Sequence, residues 1–441
     1  MHACVRPASP LTRALLAALA LSAAAIALIV PGADPTWSAY SATAGGGGSH
    51  FATAASYSGP CPTTYPAATW LTGVEHGSVA GMWMSARGTA PTADTSVVRS
   101  GSYSLRVPTA GTNQYRGGMT KDPGGLAYAK VLVARFAIRL DTLPTGDVTE
   151  LFGAYSSSST NTNGSALRLG YKASTQRLTL RVRSTTNVLG TAAEASVPVT
   201  AGTWHVIDVR YDMRATPHTA DWRVDGVAQT AASVASAASN AMSYFWGTWQ
   251  TTDTYTAYYD DMLVTQDNAA HFPLQDSRVY ALRPDGMGTS VGAANFANND
   301  GSALGASSWT RLDDLPMEGN ADHVRQTATS TTSYAEVTFG DTTESCVGAV
   351  LARVSWETPN STNANHGRTS IFDGAGESVV WSATMSGSGT VMRYVDAVVT
   401  PASAPWTPAA LNGLRGRIGF SSDAAPAPQW HSLQLEYDVP Q

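Results

Sequence analysis

Between residues 102 and 265 the chain repeatedly alternates apolar and polar positions, the period of a strand with one covered face. From Trp204 to Tyr211, His205, Ile207, Val209 and Tyr211 form one row and Trp204, Val206, Asp208 and Arg210 the other. That pattern predicts a strand buried on the first row and partly wet on the second. Ala220, Trp222 and Val224 again share a face, and the Asp225-Gly226 dipeptide after them tolerates the positive φ of a tight hairpin. Residues 130–140 put Leu132, Ala134, Phe136, Ile138 and Leu140 on a core face, and further strands are predicted at 102–107, 150–155, 166–171, 177–183 and 258–265. The second half repeats the pattern near 335–339, 347–356, 379–384, 392–399, 417–422 and 431–437, while helical periodicity is nearly absent beyond the N-terminus. The expectation is an all-β chain of two β-sandwich domains after an N-terminal leader helix. Its boundaries are leader 1–44, linker and edge segment 45–64, first sandwich 65–272 and second sandwich 276–441, with Pro273 breaking the last strand of the first.

Composition sharpens this picture. At 441 residues the chain can bury two or three cores. Its net charge of −6 is interspersed rather than gathered into a basic stripe, which argues against a nucleic-acid partner. Arg6 and Arg13 precede an apolar run at 14–30 broken only by Ser22, the pattern of a secretory leader or of an uncleaved anchor, with Ala33 and Ala44 as cleavage sites. Residues 45–49, G-G-G-G-S, form a flexible linker. The chain is therefore expected outside the cytoplasm, at the cell surface or beyond it, touching a membrane only through its N-terminal segment. Cys4 leaves with a cleaved leader, and Cys61 and Cys346 are then either a disulfide or two thiols.

The Trp204 strand, the strand ending in Val224-Asp225-Gly226 and the closing Tyr258-Tyr259-Asp260-Asp261 strand resemble the concanavalin A-like (laminin G-like) jelly-roll superfamily. So do Val74-Glu75-His76-Gly77 and the 98–107 stretch, which match the opening turn and an early strand of such modules. The resemblance spans roughly 65–270 and implies a jelly-roll β-sandwich. In related binding modules an acid in the opening turn and one in the closing strand hold a structural calcium, so Glu75, Asp260 and Asp261 are its candidate ligands here. The other reading is that these carboxylates accept backbone hydrogen bonds at strand ends. Residues 276–441 resemble a second β-sandwich module found in uncharacterised bacterial and phage surface proteins, with no chemistry attached.

Enzymes of that superfamily that cleave glucans carry alternating carboxylates on one strand, E-x-D-x-x-E, and this sequence has no such run. Asp208 and Asp212 read as the wet face of their strand. Gly288 to Gly292 fits G-x-S-x-G without the strand and helix a nucleophile elbow needs, and the nine histidines are scattered. No catalytic residue is assigned. The densest aromatic group includes Tyr244, Trp246 and Trp249, then Tyr255, Tyr258 and Tyr259, while Trp204 and Trp222 are assigned to packing. Trp246, Trp249, Tyr255 and Tyr258 are the candidate stacking platform for a polysaccharide or cell-surface glycan. Trp246 and Trp249 have opposite parity, so both can serve only if Gly247 marks a bulge. The resulting expectation is a non-enzymatic, carbohydrate-binding or adhesive surface protein, the alternative being a structural component of a surface assembly or virion.

Overall fold

The computed structural model describes residues 61–441 apart from 62–67, 80–89, 110–130, 156–164, 184–188, 215, 236–242, 250–252, 267–268, 275, 318–321, 329, 358–366, 374–378, 386–392, 400–405 and 421–427. The leader and the glycine linker fall outside these residues. No described helix is long and apolar enough to cross a membrane.

The first half contributes β1 (Trp70–Thr72), β2 (Thr92–Asp94), β3 (Ser104–Pro108), β4 (Val131–Leu140), β5 (Val148–Tyr155), β6 (Ser165–Lys172), β7 (Arg177–Val182), β8 (Ala193–Glu194), β9 (Trp204–Asp212), β10 (His218–Val224), β11 (Val227–Ala228), β12 (Ala232–Val234), β13 (Ser243–Trp249) and β14 (Thr256–Gln266). They form a nine-stranded sheet in the order β11-β10-β9-β4-β14-β3-β2, with β1 on β14 and β12 on β10, and a five-stranded sheet β13-β5-β6-β7-β8. The row predicted to be covered on β9 is buried, as is the core row of β4. Phe136 on β4 meets Phe152 on β5 at 4.8 Å between ring centres, which locates the seam between the two sheets. Asp225 and Gly226 turn the chain from β10 to β11 with φ of 50° and 76°, the left-handed pair a two-residue hairpin requires. On β14 the pairing with β4 slips between Asp260 and Leu263, and Asp261 sits at φ 51° within that bulge.

The second half contributes β15 (Ser277–Leu282), β16 (Pro284–Met287), β17 (Phe296–Asn298), β18 (Val324–Gln326), β19 (Ala335–Phe339), β20 (Val350–Glu357), β21 (Gly367–Phe372), β22 (Val379–Met385), β23 (Arg393–Val399), the short helix α1 (Pro408–Asn412), β24 (Arg415–Phe420) and β25 (Gln429–Pro440). A six-stranded sheet, β17-β18-β25-β20-β23 with β15 on β25, faces a five-stranded one, β16-β19-β24-β21-β22. Trp356, Trp430, Leu433, Leu435, Ile418 and Val354 fill the space between them. The molecule is all-β, built of two β-sandwiches.

Both sandwiches lie within one compact unit. The strand β25 shows how. One row, Leu433, Leu435, Tyr437 and Val439, packs into the second core. The other, Ser432, Gln434, Glu436 and Asp438, is equally buried, and its acids turn to the first sandwich. His76 Nδ1 lies 3.0 Å from Glu436 Oε1, and Arg353 on β20 donates to the same oxygen at 3.2 Å. Arg135 on β4 donates to Asp438 Oδ1 at 2.9 Å and to the Asp261 carbonyl at 3.3 Å. Burial would raise the Glu436 carboxyl, but Arg353 and His76 outweigh it and hold the group below its ordinary range. Cys61 and Cys346 form a disulfide, Cα to Cα 5.5 Å, which ties the segment before β1 to the second sandwich.

Candidate functional site

The aromatic residues expected to form a sugar platform are packing residues wherever they are described. Trp246 is 0% exposed and sits among Trp70, Phe136, Phe152 and Tyr244 at centroid distances of 5.4 to 6.4 Å. Tyr255 and Tyr258 are 3% and 6% exposed. A ring buried on both faces has no face for a sugar, so these three are withdrawn as a platform. The β13 register does shift on β5 between Trp246 and Trp249, an irregularity that spans Gly247 and Thr248, but the Trp249 side chain lies outside the described residues.

The three carboxylates expected to hold calcium are surrounded by hydrogen-bond donors. Glu75 accepts from the backbone N–H of Ser102 at 2.8 Å and of Tyr103 at 3.1 Å. Gly101 has to be glycine there, since a Cβ would overlap the Glu75 carboxyl and φ is +63°. Asp260 accepts from Arg99 N at 2.9 Å and from Asp261 N at 2.8 Å. Asp261 accepts from Arg99 Nη1 at 2.6 Å, Val279 N at 2.7 Å and the Ser100 hydroxyl. A cation would have to displace N–H dipoles and a guanidinium, and among the described residues no group of three or more acidic, histidine or cysteine side chains is placed to hold a metal. These residues do not fit calcium. Burial pushes the Glu75 carboxyl well up, as it does Asp260, which the Asp261 and Glu75 charges raise further.

A different set of residues forms a cleft. Its floor is the wet row of β9, Trp204, Val206 and Asp208, with Arg223 alongside on β10. Its far wall is Pro273, Leu274, Asp276 and Arg278 on the way into β15, and its volume is about 760 Å³. Trp204 is partly exposed, so its assignment to packing is incomplete: it lines the cleft. Sheet register sets the floor, because Asp208 lies opposite Arg223 on one side and Arg135 on the other. Asp208 is only 4% exposed, and its Oδ1 is buried with no hydrogen-bond partner among the described residues. Burial pushes its carboxyl up to about 7, with Arg135 pulling the other way. The neighbouring charges are mostly taken. Arg99 forks onto both oxygens of Asp276 at 2.7 Å, and Asp225 accepts from Val206 N at 2.8 Å and pairs with His205 Nδ1 at 2.8 Å. Arg223 Nε and Arg278 Nη1 remain buried and without hydrogen-bond partners among the described residues.

Sequence reasoning missed this site because it read Asp208 as a solvent-facing acid. The available signal was a tryptophan on the wet row of a strand, two places from an acid and beside a strand carrying Asp221 and Arg223.

No family model matches the chain, and no curated protein matches it in sequence. Among solved structures it is similar to the cellulose induced protein Cip1, at 18% identity over 42% of this chain and 89% of that one, TM-score 0.32. It is also similar to the polysaccharide lyase family 7 alginate lyase AlgAT5, at 10% identity over 41% and 84%, TM-score 0.30. A third likeness is the tandem CBM22 domain of Paenibacillus barcinonensis Xyn10C, at 11% identity over 85% and 100%, TM-score 0.27. At these scores the likenesses carry nothing about ligand or chemistry.

Proposed function

We propose that this is an exported protein whose first sandwich, a concanavalin A-like module, binds a polysaccharide in the cleft over Trp204 and Asp208. The observation that carries the reading is the Asp208 carboxyl, 4% exposed and without a partner for Oδ1 among the described residues, on the floor of an open cavity beside Trp204. A buried polar atom left unbonded is costly, and a ligand hydroxyl reaching the floor removes that cost. The indole beside it offers an apolar face to a sugar ring. The leader pattern at 14–30 supports export.

The test is a glycan array followed by calorimetry on the chain from Ser49 onward. Trp204→Ala should abolish retention of the glycan found while leaving the unfolding midpoint nearly unchanged. No glycan retained by the wild type, or undiminished retention by Trp204→Ala, overturns the reading. A cleaving activity would use the same Asp208, whose proton leaves near neutrality as a general acid or base requires. Release of shortened product from the retained polysaccharide would reveal it.

A further inference from the structure

Pairing inside the cleft leaves an imbalance of donors. Asp276 is held by the Arg99 fork and Asp225 by His205 and the Val206 N–H, whereas Arg223 Nε and Arg278 Nη1 are buried with no hydrogen-bond partner among the described residues. Among the described residues, the Arg223 guanidinium donates only from Nη1, to the Gly226 carbonyl at 3.2 Å. The carboxylate oxygen that Arg278 Nη1 approaches, Asp261 Oδ2, is 3.7 Å away and already bonded to Arg99. Asp208 is faced by Arg135 from β4, Arg223 from β10 and Asp276 from the chain entering β15, with Arg99, Arg278 and Asp225 completing the charged lining. With Asp208 ionised, the three arginines that line the cleft, Arg99, Arg223 and Arg278, balance its three aspartates, Asp208, Asp225 and Asp276, while Arg135 lies outside the lining and is paired with Asp438. With Asp208 protonated, the lining carries a surplus of positive charge and a further hydrogen-bond donor.

We propose that the cleft takes a sugar unit bearing an oxyanion, a uronate carboxylate or a sulfate ester, held by Arg223 and Arg278, and that Asp208 takes up one proton from solvent as this ligand binds. The proposal rests on the saccharide reading above and adds the ligand class and its control. An anion placed beside Asp208 disfavours the ionised carboxylate, while the neutral acid can donate to an oxyanion oxygen; both effects raise the carboxyl further above its free value of about 7. Binding and protonation are therefore linked. Above neutral pH, until the higher value in the complex is reached, affinity weakens about tenfold per pH unit. A neutral sugar, which presents hydroxyls to either form of Asp208, lacks this slope.

The experiment is calorimetry on the chain from Ser49 with an oligogalacturonate, its neutral methyl ester and a sulfated oligosaccharide, from about pH 6 to about pH 8.5, in two buffers of different ionisation heat to count protons. The expected result is an acidic ligand bound at least about tenfold more tightly than the methyl ester at the low end, with proton uptake rising through neutrality toward one in the same window above it where the affinity slope is found. Whichever acidic ligand binds identifies the oxyanion. Asp208→Asn, a neutral isostere, should hold the low-pH affinity across the whole range, and Arg223→Ala should lose the acidic preference, both with unchanged unfolding midpoints at low pH. Equal binding of the methyl ester, no proton uptake, or a slope surviving in Asp208→Asn overturns the proposal. Methyl-ester binding that depends on Trp204 leaves the saccharide reading standing without it, while no binding of any of the three to a chain that also retains nothing on the array removes both.

Discussion

Arg135 stands between two halves of one sheet face. Toward β14 and β25 it reaches Asp438 and the Asp261 carbonyl, in a layer where Glu75, Asp260, Asp261 and Glu436 all have partners and the second sandwich covers them. Toward β9 it faces Asp208 across the register, whose Oδ1 has no hydrogen-bond partner among the described residues and whose cover is an open cleft. Both halves hold buried acids beside arginines. The difference lies in cover: among the described residues Glu436 Oε2 is left unbonded beneath the second sandwich, whereas Asp208 Oδ1 is left unbonded in front of a cavity, where a ligand can reach it.

That contrast can be broken from the sealed side first. Replacing Arg135 by methionine leaves Asp438 with the Ser277 hydroxyl but without this cation, and should cost about 3–5 kcal/mol in denaturant unfolding, the penalty of breaking a buried ion pair from one side. Trp246→Ala should cost about as much, 3–5 kcal/mol, by opening a cavity in the first core. A small loss would mean that the ring is not the packing element its 0% exposure indicates. Removing the disulfide by the double change Cys61→Ser and Cys346→Ser should lower stability by about 2–4 kcal/mol, read against the oxidised wild type in the same titration.

The open side should respond less, and with the opposite sign. Because burial raises Asp208 from 3.8 to about 7, the folded chain keeps a proton that the unfolded chain has released between those values. Stability contributed by this group is thus greatest at the acid end and falls as pH rises through that window. Asp208→Asn should flatten that fall and, above neutrality, make the chain more stable by about 1–3 kcal/mol, measured as denaturation midpoints across pH. Trp204→Ala should change stability least, by under about 1 kcal/mol, as expected for a partly exposed ring.

The strands and the Asp225-Gly226 turn were legible because a period of two and a left-handed dipeptide are local properties. The destination of each polar row was not. Asp208, Arg135, Glu436 and Asp438 occupy equivalent alternating positions, and nothing within a strand says which row meets solvent, another sandwich or a cleft. His76 and Glu436 are 360 residues apart in sequence, so their pairing exists only once both sandwiches are assembled. The aromatic cluster misled for a related reason: rings crowded along β13 and β14 were read as a platform, yet crowding of rings is what a sandwich seam needs. For Glu75, Asp260 and Asp261 the sequence left calcium ligation and backbone hydrogen bonding both open; backbone N–H groups and Arg99 hold them, Glu75 just after β1 and the two aspartates at the bulge inside β14.

The placement of β25 has a consequence for how the molecule is made. This strand follows every other described strand along the chain, yet it lies between β18 and β20 in its own sheet and supplies Glu436 and Asp438 to the first sandwich. During synthesis from the N-terminus, His76 and Arg135 therefore wait for partners more than 300 residues downstream. Long-range closure of this kind is slow and leaves surfaces open to misassociation meanwhile. Until β25 is in place, a nascent chain lacks the pairs that lock the two sandwiches together.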